Sequence, residues 1–206
     1  MMDKVKMIAF VLVLGAVLTT ALVSVDAFTA PFIKANQAKR LQQSILKAAE
    51  IEFTEASLEQ VYSEKITAKA YPDAMQTAGV AEENKKKFYL TQTGDVIFEY
   101  RGSGLQDEIY GVIAFEPDVE TIKGITIVSQ KETPGLGGRI AESEFLEQFK
   151  GKKFFPQFRI RPPGKASGIN EIDGLTGATL SCNALEALLN KETNTYIPAI
   201  KESLKK

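Results

Sequence analysis

The sequence predicts an α+β protein, in which an N-terminal transmembrane helix precedes one domain with a central antiparallel sheet flanked by helices. Three observations predict this architecture: an uncharged apolar run near the N-terminus, helical periodicity at both ends of the remaining chain, and β-rich segments between them. The chain has 206 residues, of which 44% are apolar. This is enough for one domain with a buried core and an appended segment.

The apolar run extends from Met7 to Val25 and contains no charged residue. A helix needs roughly 20 apolar residues to cross a bilayer, and this run just reaches that length. A cleaved signal peptide is the alternative, because Val25 and Ala27 resemble a small-residue cleavage site, but its apolar region is usually only about 7–15 residues. We therefore predict that residues 1–30 form an uncleaved anchor helix in the lipid bilayer.

The charges beside the anchor leave its orientation open. Two lysines, partly offset by Asp3, precede the run, and three basic residues follow it. These residues are Lys4 and Lys6 before the run, and Lys34, Lys39 and Arg40 after it. Because the positive-inside rule compares the basic residues on the two sides, it decides little for this chain.

One domain is predicted after the anchor, with ranges 31–206 for the domain, 31–80 for a helical lead-in and 86–206 for the core. Pro31 predicts a break after the anchor helix. Helical spacing of apolar residues predicts a helix over 36–51. A second helix is predicted over 54–66, where Ser57 precedes Gln60 by three residues as in a capping box.

The core begins with segments rich in Val, Ile, Phe, Tyr and Thr, separated by turns that contain Gly or Asp. These segments predict an antiparallel meander of four strands: Phe88–Thr91, Val96–Arg101, Tyr110–Phe115 and Ile122–Gln130. A short helix over 142–154 and an irregular connection over 158–168 are predicted next. Two helices are predicted at the C-terminus, Cys182–Asn190 and Tyr196–Leu204, with Pro198 in the first turn of the second.

The composition excludes several classes of function. The chain has no histidine, which excludes Ser-His and Cys-His dyads and the usual zinc sites. Its single cysteine, Cys182, excludes an internal disulfide and is predicted to be a small buried helix residue. The formal net charge of −1 gives no basic footprint for nucleic acid, so no nucleic-acid partner is predicted.

Two stretches are candidates for a binding site. The first, "KETPGLGG" (131–138), places three glycines directly after a predicted strand, which is typical of a turn or of a loop that faces a ligand. The second, "IDGLTGATLS" (172–181), places small hydroxyl residues at the start of a predicted helix. Those hydroxyls are explained by helix capping, or by a phosphate-bearing ligand at the unpaired amides of the helix start. The residues alone leave both explanations open.

The second stretch, from Asp173 to Thr179, resembles the flavinylation motif of the FMN-binding domain family, in which an acid precedes a Ser/Thr-Gly-Ala-Thr unit. The run "ETPGLGG" resembles that family's second signature, a loop beside the flavin. The resemblance implies that Thr179 holds FMN through a phosphoester bond, which a separate flavin transferase forms from FAD. It implies further FMN contacts from Asp173, Leu175, Thr176, Gly177, Ala178 and Ser181, and from Glu132, Thr133, Gly135, Leu136 and Gly137. No catalytic residue and no metal ligand are predicted.

Over nearly the whole chain, segments such as "SLEQVYSEKI" and "TGATLSCNALEALLN" resemble the C subunits of the sodium-pumping NADH:quinone oxidoreductases. The resemblance implies a protein that relays electrons inside an ion-translocating oxidoreductase, with the other membrane subunits of that complex as partners. It also implies a single-pass protein of the inner membrane, with its N-terminus in the cytoplasm and its flavin domain on the periplasmic side. The alternatives are the G subunit of the related Rnf ferredoxin:NAD oxidoreductase, a flavinylated carrier outside both complexes, and an anchored binding module without flavin.

One position departs from the family's pattern. Members often have a histidine two residues before the glutamate of "ETPGLG", where this chain has Gln130. A glutamine side chain forms hydrogen bonds but does not titrate. The motif residues themselves are intact, so flavin attachment is still expected.

Overall fold

The computed structural model describes residues 2–72 and 86–204. The chain divides into two compact units, Met1–Arg40 and Leu41–Lys206. Helix α1 spans Met2–Ala48, and its apolar side chains in the first unit are exposed all round, with Phe10, Leu12 and Leu22 between 65% and 72% exposed. By length and composition this helix is able to cross a membrane, and an apolar surface on every side is typical of a membrane span.

The break predicted at Pro31 is wrong, because α1 continues through this residue to Ala48. A proline removes one backbone hydrogen bond and crowds the preceding turn, which kinks a helix without necessarily ending it. At the C-terminal end of α1, Ile45 and Leu46 belong to the second unit, Leu41–Lys206, called the globular unit below. Both side chains are fully buried, so packing within this unit holds the last turns in helical form. Helix α2 then spans Leu58–Lys65, where Ser57 precedes it without a side-chain capping bond.

A five-stranded antiparallel sheet forms the centre of the globular unit, with the strands in sequence order. The strands are β1 Ile66–Ala70, β2 Lys87–Thr91, β3 Val96–Ser103, β4 Glu108–Phe115 and β5 Ile122–Ser129. The predicted meander is confirmed as β2 to β5. Strand β1 was not predicted: its first residue, Ile66, was placed in the helix over 54–66, and the others only in the helical lead-in over 31–80. Residues 73–80 of that lead-in lie outside the described part of the chain.

Alternating residues of the sheet pack on its two faces. In β3, Phe98 and Tyr100 belong to one core, and Ile97, the residue before Phe98, belongs to the other. The end of α1 and helix α2 cover the second face, whereas α3 (Ser143–Glu147) and α4 (Thr179–Leu204) cover the first. The predicted α+β architecture, a central antiparallel sheet flanked by helices, is therefore confirmed.

The segments after the sheet differ from the predictions in two places. The expected irregular connection over 158–168 contains strand β6 (Arg159–Arg161), which pairs in parallel with β7 (Glu171–Asp173) just beyond it. The predicted break between two C-terminal helices is wrong, because α4 is continuous through Pro198. Tyr196 and Ile197 of this stretch are buried in the core, and this packing outweighs the weak local preference for helix.

Candidate functional site

The turn that precedes α4 is built around Gly177. The Ala178 amide donates to the Leu175 carbonyl at 3.0 Å, which closes a four-residue turn. Gly177 is the third residue of this turn and has φ +80°, the value that a type II turn requires there. A side chain at this position would be strained, so the Gly177 of the sequence motif has a local physical reason.

Helix α4 starts without a side-chain cap. The Ala178 carbonyl accepts the first helical bond, from the Cys182 amide at 2.9 Å, which places alanine at the N-cap position. Thr179 follows as the first residue of α4, and its side chain is exposed. Because alanine has no hydrogen-bonding side chain, this helix start presents amide groups and a partial positive charge beside the Thr179 hydroxyl. The arrangement suits a covalently or non-covalently held phosphate.

Asp173 fixes the segment that precedes this turn. Its Oδ1 accepts hydrogen bonds from the amides of Lys165 and Ala166, at 2.8 and 2.9 Å. The Gln148 side chain forms two hydrogen bonds with the Asp173 backbone: it accepts from the amide at 3.0 Å and donates to the carbonyl at 3.2 Å. Asp173 therefore shapes the loop that leads into the turn.

The glycine-rich loop 131–138 lies against this turn. A side chain added at Gly177 would place its Cβ 3.2 Å from Leu136 Cδ2, so the two stretches singled out in the sequence are in contact. Leu136 is 49% exposed and Gly135, at φ +74°, has open space around it. A second link joins the stretches, because the Arg139 guanidinium donates to the Thr176 carbonyl at 3.5 Å. Leu175 is half-buried and packs on the core, while Thr176 is exposed.

Glu132 and Ser181 meet in the interior. They are 4% and 1% exposed, and the Ser181 hydroxyl donates to Glu132 Oε2 at 2.6 Å. Gly137 lies against this pair, because a Cβ added there would come within 2.3 Å of Ser181 Oγ. Sequence reasoning grouped Glu132, Ser181 and Gly137 with the cofactor contacts, whereas here they pack against one another.

Three features of the site were missed by sequence reasoning: the β3–β4 turn, Arg139 and Gln148. Glu132 Oε1 accepts from the amides of Leu105 and Gln106 in that turn, at 2.8 and 3.1 Å. The only signal for the turn was "RGSG", interpreted as a strand separator. The turn reaches Glu132 because β3, β4 and β5 are antiparallel neighbours. The β3–β4 turn and the C-terminal end of β5 therefore lie at the same end of the sheet.

Gln130 supports the glycine-rich loop from within. Its Oε1 accepts a hydrogen bond from the Glu132 amide at 2.5 Å. An amide oxygen accepts this bond at any pH, whereas an imidazole would accept it only when neutral. The glutamine is therefore a pH-independent brace at this position.

Other candidate groups have structural explanations. Cys182 is 2% exposed, and burial raises the pKa of its thiol, which keeps the sulfur protonated and unreactive. Five basic residues lie between positions 152 and 165, ahead of the motif. Of these, Arg161 pairs with Glu171 and Lys153 pairs with Asp118, each at 2.7 Å. These two cations are therefore committed to ion pairs rather than left for a phosphate.

The fold and site together define a flavin-binding class. A family model described as the FMN-binding domain matches residues 104–193, which include the β3–β4 turn, the glycine-rich loop and the start of α4. The chemistry of the site suits FMN: Thr179 is exposed beside uncapped amides, which favour a phosphate, and Leu136 in the adjoining loop exposes an apolar side chain. Among the described residues no cluster of acidic or cysteine side chains suits a metal ion.

Relatives place the chain more narrowly. It is 31% identical over 180 residues to the C subunit of the Na⁺-translocating NADH-quinone reductase from Neisseria meningitidis serogroup B, covering 78% of this chain and 69% of that protein. It is 36% identical over 138 residues to the corresponding protein from Vibrio anguillarum, covering 57% of this chain and 54% of the relative. The chain belongs to this family of C subunits. It spans about half the length of several curated relatives that it matches.

Solved structures agree with the fold. The crystal structure of the C subunit of the Na⁺-translocating NADH-quinone reductase from Parabacteroides distasonis superposes with a TM-score of 0.68 at 26% identity, covering 81% of this chain and 94% of that one. The crystal structure of NqrC from Shewanella oneidensis superposes with a TM-score of 0.69 at 20% identity, covering 82% of this chain and 99% of that one.

Proposed function

We propose that this chain holds FMN covalently on the Thr179 hydroxyl and relays electrons as the C subunit of a Na⁺-translocating NADH:quinone oxidoreductase. The observation that supports it most is the placement of Thr179: an exposed hydroxyl at the first residue of an uncapped helix, inside a region that matches the FMN-binding domain. The flavin supplies the electron transfer, and the chain supplies its attachment and surroundings.

Attachment needs a partner enzyme and a donor. The Thr179 oxygen would bond to the FMN phosphorus of FAD while the pyrophosphate bond breaks and AMP leaves. The hydroxyl proton would pass to a base of the flavin transferase, since this chain contains no histidine. This step is a group transfer and involves no oxidation or reduction. The exposed position of Thr179 lets a transferase reach it.

The surrounding residues have distinct roles in this proposal. The amides at the start of α4 favour the phosphate, because the helix dipole is positive there. Leu136 offers apolar surface to the flavin ring, and Gly135 leaves space beside it. Asp173 holds the turn that presents Thr179. Contact of the ring with these residues excludes water from one side of the flavin.

The membrane arrangement follows from the same proposal. Residues 1–30 would cross the inner membrane once with the N-terminus in the cytoplasm, and residues 31–206 would lie on the periplasmic side. A covalent tether keeps the flavin on a domain that faces an open compartment. The other subunits of the complex would donate and accept the electrons.

Two alternatives are less well supported. The G subunit of an Rnf complex would share the anchor and the flavin domain, but the relatives described above are C subunits. A binding module without flavin would not need the exposed threonine, the uncapped helix start and the glycine-rich loop together. The match to the FMN-binding domain also disfavours it.

The test is retention of flavin after denaturation. The full chain, co-expressed with a flavin transferase and solubilised in detergent, is expected to keep its visible absorbance through acid precipitation. Thr179→Val is expected to lose it, whereas Thr195→Val, a change of an exposed threonine of α4 outside the motif, is expected to keep it. Loss in both variants, or in neither, would contradict attachment at Thr179. Recovery of the other reductase subunits with a tagged chain from native membranes tests complex membership separately.

A further inference from the structure

We infer that the β3–β4 turn, residues 104–107, forms a third wall of the flavin site beside the glycine-rich loop and the turn before α4, and that Glu132 is the positioning residue that holds this wall in place. This inference rests on the proposed function. Neither the sequence motifs nor the family resemblance includes this turn among the cofactor contacts. The geometry that supports it is a set of links that converge on one buried carboxylate.

Glu132 connects three separate segments through its two carboxylate oxygens. Oε1 accepts from the Leu105 amide at 2.8 Å and the Gln106 amide at 3.1 Å, and Oε2 accepts from the Ser181 hydroxyl at 2.6 Å. The β3–β4 turn and the first turn of α4 are thereby joined through the glycine-rich loop. Hydrogen bonds to a buried charged acceptor are among the stronger ones, and an unpaired carboxylate at this depth would be costly.

Two further contacts fasten the turn to the same loop. The Gln106 side chain donates to Thr133 Oγ1 at 2.5 Å, and Lys131 pairs with Asp107 at 2.6 Å. The Lys131–Asp107 pair is exposed and adds little to stability. The turn is therefore fixed mainly through Glu132, its neighbour Thr133 and the two backbone amides.

Small residues make the junction possible. A Cβ at Gly104 would come within 2.5 Å of Glu132 Oε1, and a Cβ at Gly137 within 2.3 Å of Ser181 Oγ. The carboxylate thus has close neighbours on both sides, which leaves it little freedom to move. A group held this tightly fixes the segments that it binds.

The side chain that the turn presents is apolar. Leu105 is 51% exposed at the tip of a turn whose next residues are polar, and Leu136 of the adjoining loop is 49% exposed. The carboxylate that binds the Leu105 amide sits four residues before Leu136 in the chain. Two half-exposed leucines on loops joined by one side chain suit a flat apolar ring such as isoalloxazine. Leu105 and Leu136 would contact it from neighbouring positions.

The test measures access to the attached flavin. The full chain is flavinylated by co-expression, its loading is checked by intact mass, and quenching of flavin fluorescence by acrylamide is measured. Leu105→Ala is expected to raise the quenching constant, because it opens one side of the ring to the neutral quencher. Leu204→Ala is the matched control: that leucine is 40% exposed at the other end of α4, roughly 37 Å away along the helix axis, and the quenching constant should not change.

Variants of Glu132 test the positioning role. Glu132→Ala is expected to raise the quenching constant as Leu105→Ala does, whereas Glu132→Gln keeps an oxygen for the two turn amides and should stay near the wild-type value. Leu105→Ala decides the question where Glu132→Ala does not fold, because it alters an exposed side chain. A loaded chain in which Leu105→Ala behaves like Leu204→Ala overturns this inference alone. A chain that carries no flavin overturns the proposed function, and this inference with it.

Discussion

Gly137→Ala is expected to destabilise the globular unit substantially, although it adds one methyl group. The new Cβ would lie 2.3 Å from Ser181 Oγ and 3.0 Å from Glu132 Oε2, so the buried hydrogen bond between them must break or shift. Overpacking a close-packed site costs about 1–3 kcal/mol. Weakening a buried bond to a charged acceptor costs about 1.5–3 kcal/mol. These costs overlap, so we expect a loss of about 2–4 kcal/mol in the free energy of unfolding.

The assay is thermal unfolding of the full chain followed by near-ultraviolet circular dichroism. The chain has no tryptophan, and its six tyrosines all lie beyond residue 40, so the tyrosine signal reports the globular unit and not the apolar helix. Since 1 kcal/mol shifts the midpoint of a domain of this size by about 2–4 °C, Gly137→Ala should lower it by roughly 4–16 °C.

The matched control for this substitution is Gly135→Ala in the same loop. Gly135 has φ +74° and no atom within 4 Å of an added Cβ, so this change costs only backbone strain, about 1–2 kcal/mol. A midpoint for Gly137→Ala at or above that of Gly135→Ala would refute the reasoning, because it would show that the Glu132–Ser181 junction accommodates the methyl group.

Three further predictions concern the surroundings of the site and the fold. Hydrogen bonds from the Ser167 amide, Arg161 and the Gly168 amide lower the pKa of Glu171 to about 2. The ionised carboxylate therefore stabilises the folded state above about pH 4.5, and this stabilisation is lost as the pH falls toward 2. The difference in unfolding midpoint between wild type and Glu171→Gln should shrink over that range. Thr193 Oγ1 is buried without a hydrogen-bond partner among the described residues, so Thr193→Val should stabilise by about 1 kcal/mol and raise the midpoint. A chain that starts at residue 41 should keep the tyrosine dichroism of the full chain. A chain that starts at residue 51 lacks the buried Ile45 and Leu46, whose burial contributes about 3–6 kcal/mol. It should therefore unfold at a lower temperature.

The parts of the fold that were predicted from sequence are those with a strong local pattern. Strands β3 and β4 are buried on both faces and rich in β-branched and aromatic residues, so they were recognised within two residues of their ends. Strand β1 buries only Ile66, which leaves no alternation to detect. Strands β6 and β7 have three residues each, too few for any periodicity.

The failures at the helices have a different cause. Pro31 and Pro198 are both local signals for a boundary, yet each lies inside a continuous helix. In α4 the deciding term is the burial of Tyr196 and Ile197, which depends on contacts far away in sequence. Tertiary packing outweighs local preference in such segments, and a single sequence does not reveal it.

The site shows the same division. The loop at Gly135 was expected from its glycines, and Gly135 has positive φ. The turn at Gly177, which also has positive φ, was not expected, because the hydroxyl residues there indicated only a helix start. The separation of roles within the motifs was not expected: Ser181 faces the interior, whereas Thr179, two residues earlier, faces solvent. Recognising the β3–β4 turn needed the pairing of Glu132 with Leu105, which only the folded chain displays.

The most direct test of the central claim is tandem mass spectrometry of the tryptic peptide 166–191 from the full chain co-expressed with a flavin transferase. This peptide contains four hydroxyl residues, Ser167, Thr176, Thr179 and Ser181, so fragmentation assigns a modification to one hydroxyl among the four. We predict an increment of FMN less one water on Thr179, with the other three hydroxyls unmodified. An unmodified peptide in the presence of active transferase, or the increment on another residue, would contradict it.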